Sequence, residues 1–181
     1  MVKEQLSYKV TYRNVRYARI EFRAGSLHLV IPRGYDYKEL LNKKAGWIKK
    51  KQDYQEHVTK THKGRDLEEK TVEELKLLVH DSVNHYSKKI GVSINNITFR
   101  KYRSKWASIN TLNNISINKY MRYLPPHLIR YIVFHELAHI IVRNHSREFW
   151  SIIENEFGDY SDYENELYYY WMLISKRAEL I

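Results

Sequence analysis

The chain has 181 residues, of which 43% are hydrophobic and 29% charged, a composition typical of an ordinary globular protein that excludes a disordered chain. It contains no Cys, which excludes disulfides, thiolate metal ligands and a cysteine nucleophile. The charge is uneven, because residues 1–60 carry 14 Lys and Arg against 6 Asp and Glu, whereas residues 121–181 carry 6 against 9. A basic body suits an anionic partner such as nucleic acid or a nucleotide, although a solvated basic surface is the simpler interpretation.

The sequence shows neither an export signal nor a membrane span. The first ten residues, MVKEQLSYKV, lack the apolar core of a signal peptide. The longest apolar stretch, Tyr131 to Val142, is interrupted by His and Glu and is too short to cross a bilayer. We therefore expect a cytoplasmic protein that does not bind membranes.

The first third of the chain predicts a small antiparallel sheet and a helix. Three runs alternate apolar and polar residues, as half-buried strands do: Tyr8 to Tyr12, Tyr17 to Arg23 and Ser26 to Ile31. A turn at Ala24-Gly25 would join the last two. Asp36 followed by Glu39 has the form of a capping box and predicts a helix to about Gln55. The polar residues His57 to Glu69 then predict a connection.

The middle of the chain predicts a helix and a second small sheet. Thr71 and Glu74 form another capping box, opening a helix that runs to Ile90 and stops at Gly91. Three short strand-like runs follow: Ile97 to Arg103, Trp106 to Asn110 and Ile115 to Tyr120. Asn113-Asn114 can take the left-handed turn between the last two runs.

Three helices complete the predicted order of elements. Pro125-Pro126 opens a helix to about Val142, which is apolar nearly all round and should therefore be buried. Ser146 can cap a helix through about Phe157. Ser161 with Glu164 predicts a last helix to about Lys176.

The central helix carries a metal-binding motif, because residues 134–145 are FHELAHIIVRNH. At about 3.6 residues per turn, His135 and His139 lie one turn apart on one face, so two imidazoles can share an ion. The carboxylate of Glu136 can take a proton from an activated water without binding the metal. His145 follows the helix end and offers a third imidazole, leaving the fourth position open as in catalytic zinc sites. We predict that these three histidines bind Zn²⁺ and that Glu136 is the general base.

The motif is specific, although its third ligand has a competitor. A chain of this composition would produce the glutamate and three histidines at this spacing by chance roughly 0.002 times. Histidines without a function fit a buried helix badly, since each unpaired polar group there would cost on the order of 1–3 kcal/mol. Glu154, on the following helix, is the alternative to His145, as in zinc enzymes with a downstream glutamate. Val142 also replaces the Gly that the metzincin pattern uses for its turn.

These residues resemble the YgjP-like metallopeptidase family of zincins, over most of the chain. The family pattern is present as four short segments: Leu124-Pro125-Pro126, His135 to His139, Asn144-His145-Ser146 and Phe149-Trp150. An upstream family segment, SRWGSC, is similar to Ser104 to Ile109, where Ala107 and Ile109 replace its Gly and Cys. The resemblance implies a zinc-dependent hydrolase with ligands at His135, His139 and His145 and its base at Glu136. We expect its substrate to be a peptide or a protein.

The elements and the resemblance together predict an α+β fold. Residues 1–60 would form a basic region of antiparallel sheet and helix. Residues 61–181 would form a zincin-like metal-hydrolase region with a short sheet and the buried motif helix. We expect the two regions to belong to one compact unit.

The function stays open at several points. The Trp106 to Asn110 run could be an edge strand to which an extended peptide adds, or an ordinary core strand. The same metal site could hydrolyse nucleotide triphosphates, although all six Gly residues are isolated and form no phosphate-binding loop. Alternatively, zinc could be structural in a nucleic-acid-binding module whose basic residues are interleaved with aromatics, as in residues 12–19, but Glu136 then has no purpose. His127, Arg143 and several tyrosines are candidates for stabilising the oxyanion.

Overall fold

The computed structural model describes residues 8–23 and 26–177, so the turn predicted at Ala24-Gly25 lies outside the described residues. The fold is α+β, as predicted, with two three-stranded sheets and six α-helices among the described residues. The chain divides into two compact units, whose boundary lies between Lys63 and Gly64. The division into functional regions 1–60 and 61–181 stays a prediction. Within the described part, no helix combines the length and the apolar character needed to cross a membrane.

The sheet of the first unit is mixed, which corrects the prediction of an antiparallel sheet. Its strands β1 (Tyr8–Tyr12), β2 (Arg19–Arg23) and β3 (Ser26–Ile31) lie in the order β1-β3-β2. Strands β2 and β3 are antiparallel, but β1 runs parallel to β3. Apolar and polar residues alternate with the same period in parallel and antiparallel strands, so this pattern does not predict the direction in which a strand runs. Because β2 occupies one edge of β3, only the other edge is open to β1.

The single helix predicted from Asp36 to Gln55 is two helices, α1 (Tyr37–Lys43) and α2 (Ala45–His62). The Asp36 carboxylate caps α1 by accepting a bond from the Lys38 N–H at 2.8 Å. Glu39 pairs with Lys43 and does not complete a capping box. Helix α2 extends past Gln55 because no Gly or Pro interrupts it before His62, so part of the predicted connection is helical. The core of this unit lies between the sheet and the helices: Leu27, Leu29, Ile31, Leu40 and Ile48.

The second unit begins with helix α3 (Val72–Ile90). The predicted capping box of Thr71 and Glu74 is present, and Gly91 ends the helix with φ +69°, where a side chain would be strained. Strands β4 (Asn96–Arg100), β5 (Ala107–Ile109) and β6 (Asn114–Asn118) lie in the order β4-β6-β5. Asn113 takes the predicted left-handed turn before β6, with φ +54°.

A 3₁₀ turn, Lys119–Tyr123, replaces the end of the predicted third strand. The side chain of Asn118, fully buried, explains the change because its oxygen accepts the Tyr120 N–H and its amide donates to the Lys105 carbonyl. Three helices follow, α4 (Pro126–Ile141), α5 (Arg147–Phe157) and α6 (Ser161–Lys176). Ser146 precedes α5 but makes no side-chain capping bond, and Ser161 is the first residue of α6 and not its cap. Helix α4 is the buried centre of this unit, packed against α3, α5 and β5.

Candidate metal centre

Helix α4 and the turn after it bring three imidazoles together. His135 and His139 lie one turn apart on α4, with ring centroids 5.1 Å apart. After α4 ends at Ile141, the chain reverses before α5 and places the His145 ring 5.1 Å from that of His135 and 4.7 Å from that of His139. One ring nitrogen from each histidine lies within 4.8 Å of the other two. The Nε2 atoms of His135 and His145 are 3.0 Å apart.

This spacing fits a small divalent ion. Nitrogen ligands at about 2.0–2.1 Å from a tetrahedral zinc are roughly 3.4 Å from one another. The 3.0 Å separation is close to that value, and even the 4.8 Å limit requires a contraction of only about 1.4 Å. A ligand set of imidazoles without thiolates is compatible with zinc.

Neighbouring groups fix the orientation of the rings. The Nδ1 of His139 donates to the Val142 carbonyl at 3.1 Å, which leaves Nε2 unprotonated and able to bind a metal. From α5, the buried Phe149 ring stacks on His139 with centroids 4.4 Å apart, and Trp150 stacks on His145 at 5.5 Å. Tyr160 in turn stacks on Trp150 at 4.5 Å. The first residues of α5 therefore form an aromatic wall that holds the histidines.

Burial controls the protonation of the site. It lowers the pKa of His135 to about 3, with a further contribution from the neighbouring His139 and His145. Burial also lowers the pKa of His139. Both rings are therefore neutral at physiological pH, which is the form that binds metals. In contrast, burial raises the pKa of Glu136 to about 7, against the opposing effects of a hydrogen bond from the Ile109 backbone and the positive charge of Lys105.

Strand β5 is an edge strand beside Glu136. The Asn118 N–H donates to the Trp106 carbonyl at 2.8 Å, and the Asn110 N–H donates to the Asn114 carbonyl at 3.1 Å, so these positions face β6. The polar backbone groups of the alternate residues, Ala107 and Ile109, consequently point away from β6. The Ile109 N–H bonds to the Glu136 carboxylate. Among the described residues β5 is thus an edge strand of its sheet and not a central one, while the addition of a peptide to it stays a prediction.

Other candidate residues lie away from the three histidines or serve different contacts. Glu154 is exposed on α5 and does not belong to the group of converging ligands. His127, in the first turn of α4, lies with its Nε2 2.9 Å from Glu166. The Arg143 guanidinium donates to the Asn110 carbonyl at 3.2 Å, at the end of β5. The sequence motif gave no indication of the roles of Tyr160 or the Ile109 backbone, which act across distances that no local pattern encodes.

Comparison with known proteins gives one matching family and similar solved structures. The family model of the YgjP-like metallopeptidase domain matches residues 53–170. No match was found among curated proteins. Among solved structures, the chain is similar to the metallopeptidase zymogen of Pyrococcus abyssi abylysin, at 23% identity, with 55% of this chain and 94% of that chain covered and a TM-score of 0.45. The metallopeptidase zymogen of Methanocaldococcus jannaschii jannalysin is similar at 29% identity, with 55% and 97% covered and a TM-score of 0.44.

Proposed function

Because this chain belongs to the YgjP-like metallopeptidase family, and is therefore a metal-dependent hydrolase, we propose that it is a zinc peptidase with Glu136 as its general base. The proposed ligands are His135, His139 and His145. The observation that carries the proposal is the convergence of their ring nitrogens within 4.8 Å, beside a half-buried glutamate on the helix that carries two of the three histidines. Three ligands leave a position for substrate or water, as in catalytic sites.

The proposed roles of the metal and of the residues around it follow from the chemistry of each group. When bound, zinc supplies Lewis acidity that polarises the scissile carbonyl and promotes ionisation of water near pH 7. Glu136 takes the proton of the attacking water and delivers it to the leaving amine, a role suited to a carboxylate whose pKa is raised to about 7. The Ile109 N–H holds this carboxylate beside the site.

The open edge of β5 provides a binding surface for a peptide main chain. Ala107 presents its N–H and carbonyl, and Ile109 its carbonyl, away from β6, and an extended peptide can pair with these groups as an added strand, whereas the Ile109 N–H is already bonded to Glu136. This pairing would align the scissile bond with Glu136, because the same strand edge bonds to that carboxylate. Main-chain pairing favours peptides or unfolded segments over small metabolites.

The proposal is tested by metal content and hydrolysis in three proteins: the wild type, Glu136→Gln and His145→Ala. We expect one zinc in the wild type and in Glu136→Gln, cleavage of a mixed peptide library by the wild type alone, and weakened zinc binding in His145→Ala. Glu154→Gln is the matched control, and it should keep both zinc and activity because Glu154 is exposed outside the ligand group. Loss of zinc in Glu154→Gln with retention in His145→Ala would reassign the third ligand. Hydrolysis of nucleotide triphosphates, with no peptide cleaved, would reject the peptidase.

A further inference from the structure

The sheet next to Glu136 carries no carboxylate. Residues 82–135 contain nine Lys and Arg and no Asp or Glu, and this stretch includes all of β4, β5 and β6. Four of the nine are exposed cations in the segment that leads into β5: Arg100, Lys101, Arg103 and Lys105. The segment that leads into β5 is therefore strongly basic.

Two cations lie along β5, the Lys105 ammonium beside the middle residue of the strand and the Arg143 guanidinium just beyond its end. The Lys105 ammonium lies 2.9 Å from the Ser108 hydroxyl and 4.6 Å from the centroid of the Tyr102 ring, so this side chain follows the strand. The Arg143 guanidinium donates a hydrogen bond to the carbonyl of Asn110, the residue that follows β5. Both side chains belong to exposed residues, and a peptide that pairs with β5 would pass close to both of them.

These two cations differ from others in the second unit. Four other cations of this unit pair with carboxylates: Arg65–Glu166, Lys70–Glu68, Lys89–Glu156 and Arg177–Glu69. The contacts of Lys105 and Arg143 described above are instead with a hydroxyl, an aromatic ring and a carbonyl, none of which carries a negative charge. Lys105 also acts electrostatically on Glu136, but neither cation forms an ion pair in the described contacts, so their positive charges can still attract an anionic ligand.

We propose that the open edge of β5 selects acidic peptides, and that Lys105 and Arg143 are the specificity-determining residues. This inference rests on the peptidase function proposed above. From residue 105 to residue 110 an extended strand spans about 17 Å, and a paired peptide has the same rise per residue. Asp or Glu within about three residues of the scissile bond therefore lies within reach of one cation or the other. Each exposed pair contributes modestly, so the expected preference for acidic over neutral peptides is roughly 3- to 10-fold in kcat/KM.

The test uses two fluorogenic peptides that differ only in Glu or Gln at the flanking positions. The ratio of their kcat/KM values is measured for zinc-loaded wild type, Lys105→Gln, Arg143→Gln and the double variant. Glutamine keeps hydrogen-bonding capacity and removes the charge. Because both peptides meet the same Glu136, any effect of Lys105 on that carboxylate cancels in the ratio. Lys88→Gln is the matched control, since Lys88 lines a separate cleft with Asp81, Asn84 and His85.

We expect the ratio to fall from roughly 3–10 in the wild type to about 1 in the double variant, to be unchanged in Lys88→Gln, and to decrease in 0.5 M salt. Equal cleavage of both peptides by the wild type would overturn this inference and leave the peptidase standing. Failure of the zinc-loaded wild type to cleave either peptide would reject the peptidase and this inference with it. Loss of binding to a single-stranded oligonucleotide in the double variant, with an unchanged peptide ratio, would assign the cations to nucleic acid and overturn the inference.

Discussion

The two sheets of this protein have the same topology but different chemistry. In each, the third strand lies in the middle, parallel to the first strand and antiparallel to the second. The middle strands β3 and β6 both bury alternating aliphatic side chains, such as Leu27 and Leu29 in one and Ile115 and Ile117 in the other. The same strand arrangement thus occurs twice in one chain.

The difference lies in the second strand of each sheet. β2 has five residues, whereas β5 has only three, and α4 packs against β5 and brings Glu136 to its backbone. Equivalent strand order therefore does not imply equivalent function. The proposed activity depends on the side chains that a helix presents beside an edge strand.

The largest effect should come from Glu136→Gln, which removes the base beside β5. We expect kcat/KM for peptides to fall by about 10²- to 10⁴-fold with zinc still bound, because the proton acceptor is lost and the ligands are not. Glu21→Gln, on the corresponding strand β2 of the first sheet, should leave kcat/KM within about twofold. A comparable decrease of kcat/KM in both variants would show that the effect of Glu136→Gln is not specific to the glutamate beside β5.

A smaller but still large effect is expected for His145→Ala. Removal of a direct ligand should weaken zinc binding by more than the roughly 10- to 100-fold typical of groups that only orient ligands. Competition with a chelator of known affinity measures the change. An unchanged zinc affinity would exclude His145 from the metal site, although its ring lies 4.7 Å from that of His139.

The raised pKa of Glu136, to about 7 from a usual value of 4.5, links folding of the metal-free protein to pH. A carboxyl whose pKa is raised by folding stabilises the protein below pH 4.5, and this contribution is lost as the pH rises through 7. The Glu136→Gln variant has no carboxyl at this position, so its free energy of unfolding does not decrease in this way. We therefore expect the variant to gain up to about 3 kcal/mol on the wild type between pH 4.5 and 8. Urea unfolding of both metal-free proteins across this range measures the difference, and a difference independent of pH would contradict the expectation.

The smallest effect is expected for Trp150→Leu. The indole stacks on the His145 ring and fixes its orientation, so its loss should reduce zinc affinity about 10-fold without removing a ligand. Trp47→Leu, in α2 of the first unit, is the matched control and should leave zinc affinity unchanged. If both substitutions weaken binding equally, the effect of Trp150 is a general one on stability.

Much of the local structure was predictable because it depends on residues close in sequence. The Thr71 and Glu74 capping box, the stop at Gly91 and the left-handed Asn113 each involve only a few neighbouring residues. Ser146 is the N-cap residue of α5, as predicted, but its side chain makes no capping bond, and the Asn144 side chain accepts the Ser146 N–H. Such local competition between similar side chains is beyond what a motif distinguishes.

Taken alone, the sequence determined the register of His135, Glu136 and His139, since helical periodicity fixes which residues share a face. It also determined the alternation of the strands and the absence of thiolate chemistry. Only the tertiary structure decided that β1 runs parallel to β3, that β5 has an open edge, and that His145 lies beside the other two rings. These features depend on contacts between segments that are distant in sequence. Which segments pair is decided by the strand edges and apolar faces that the rest of the fold leaves unpaired.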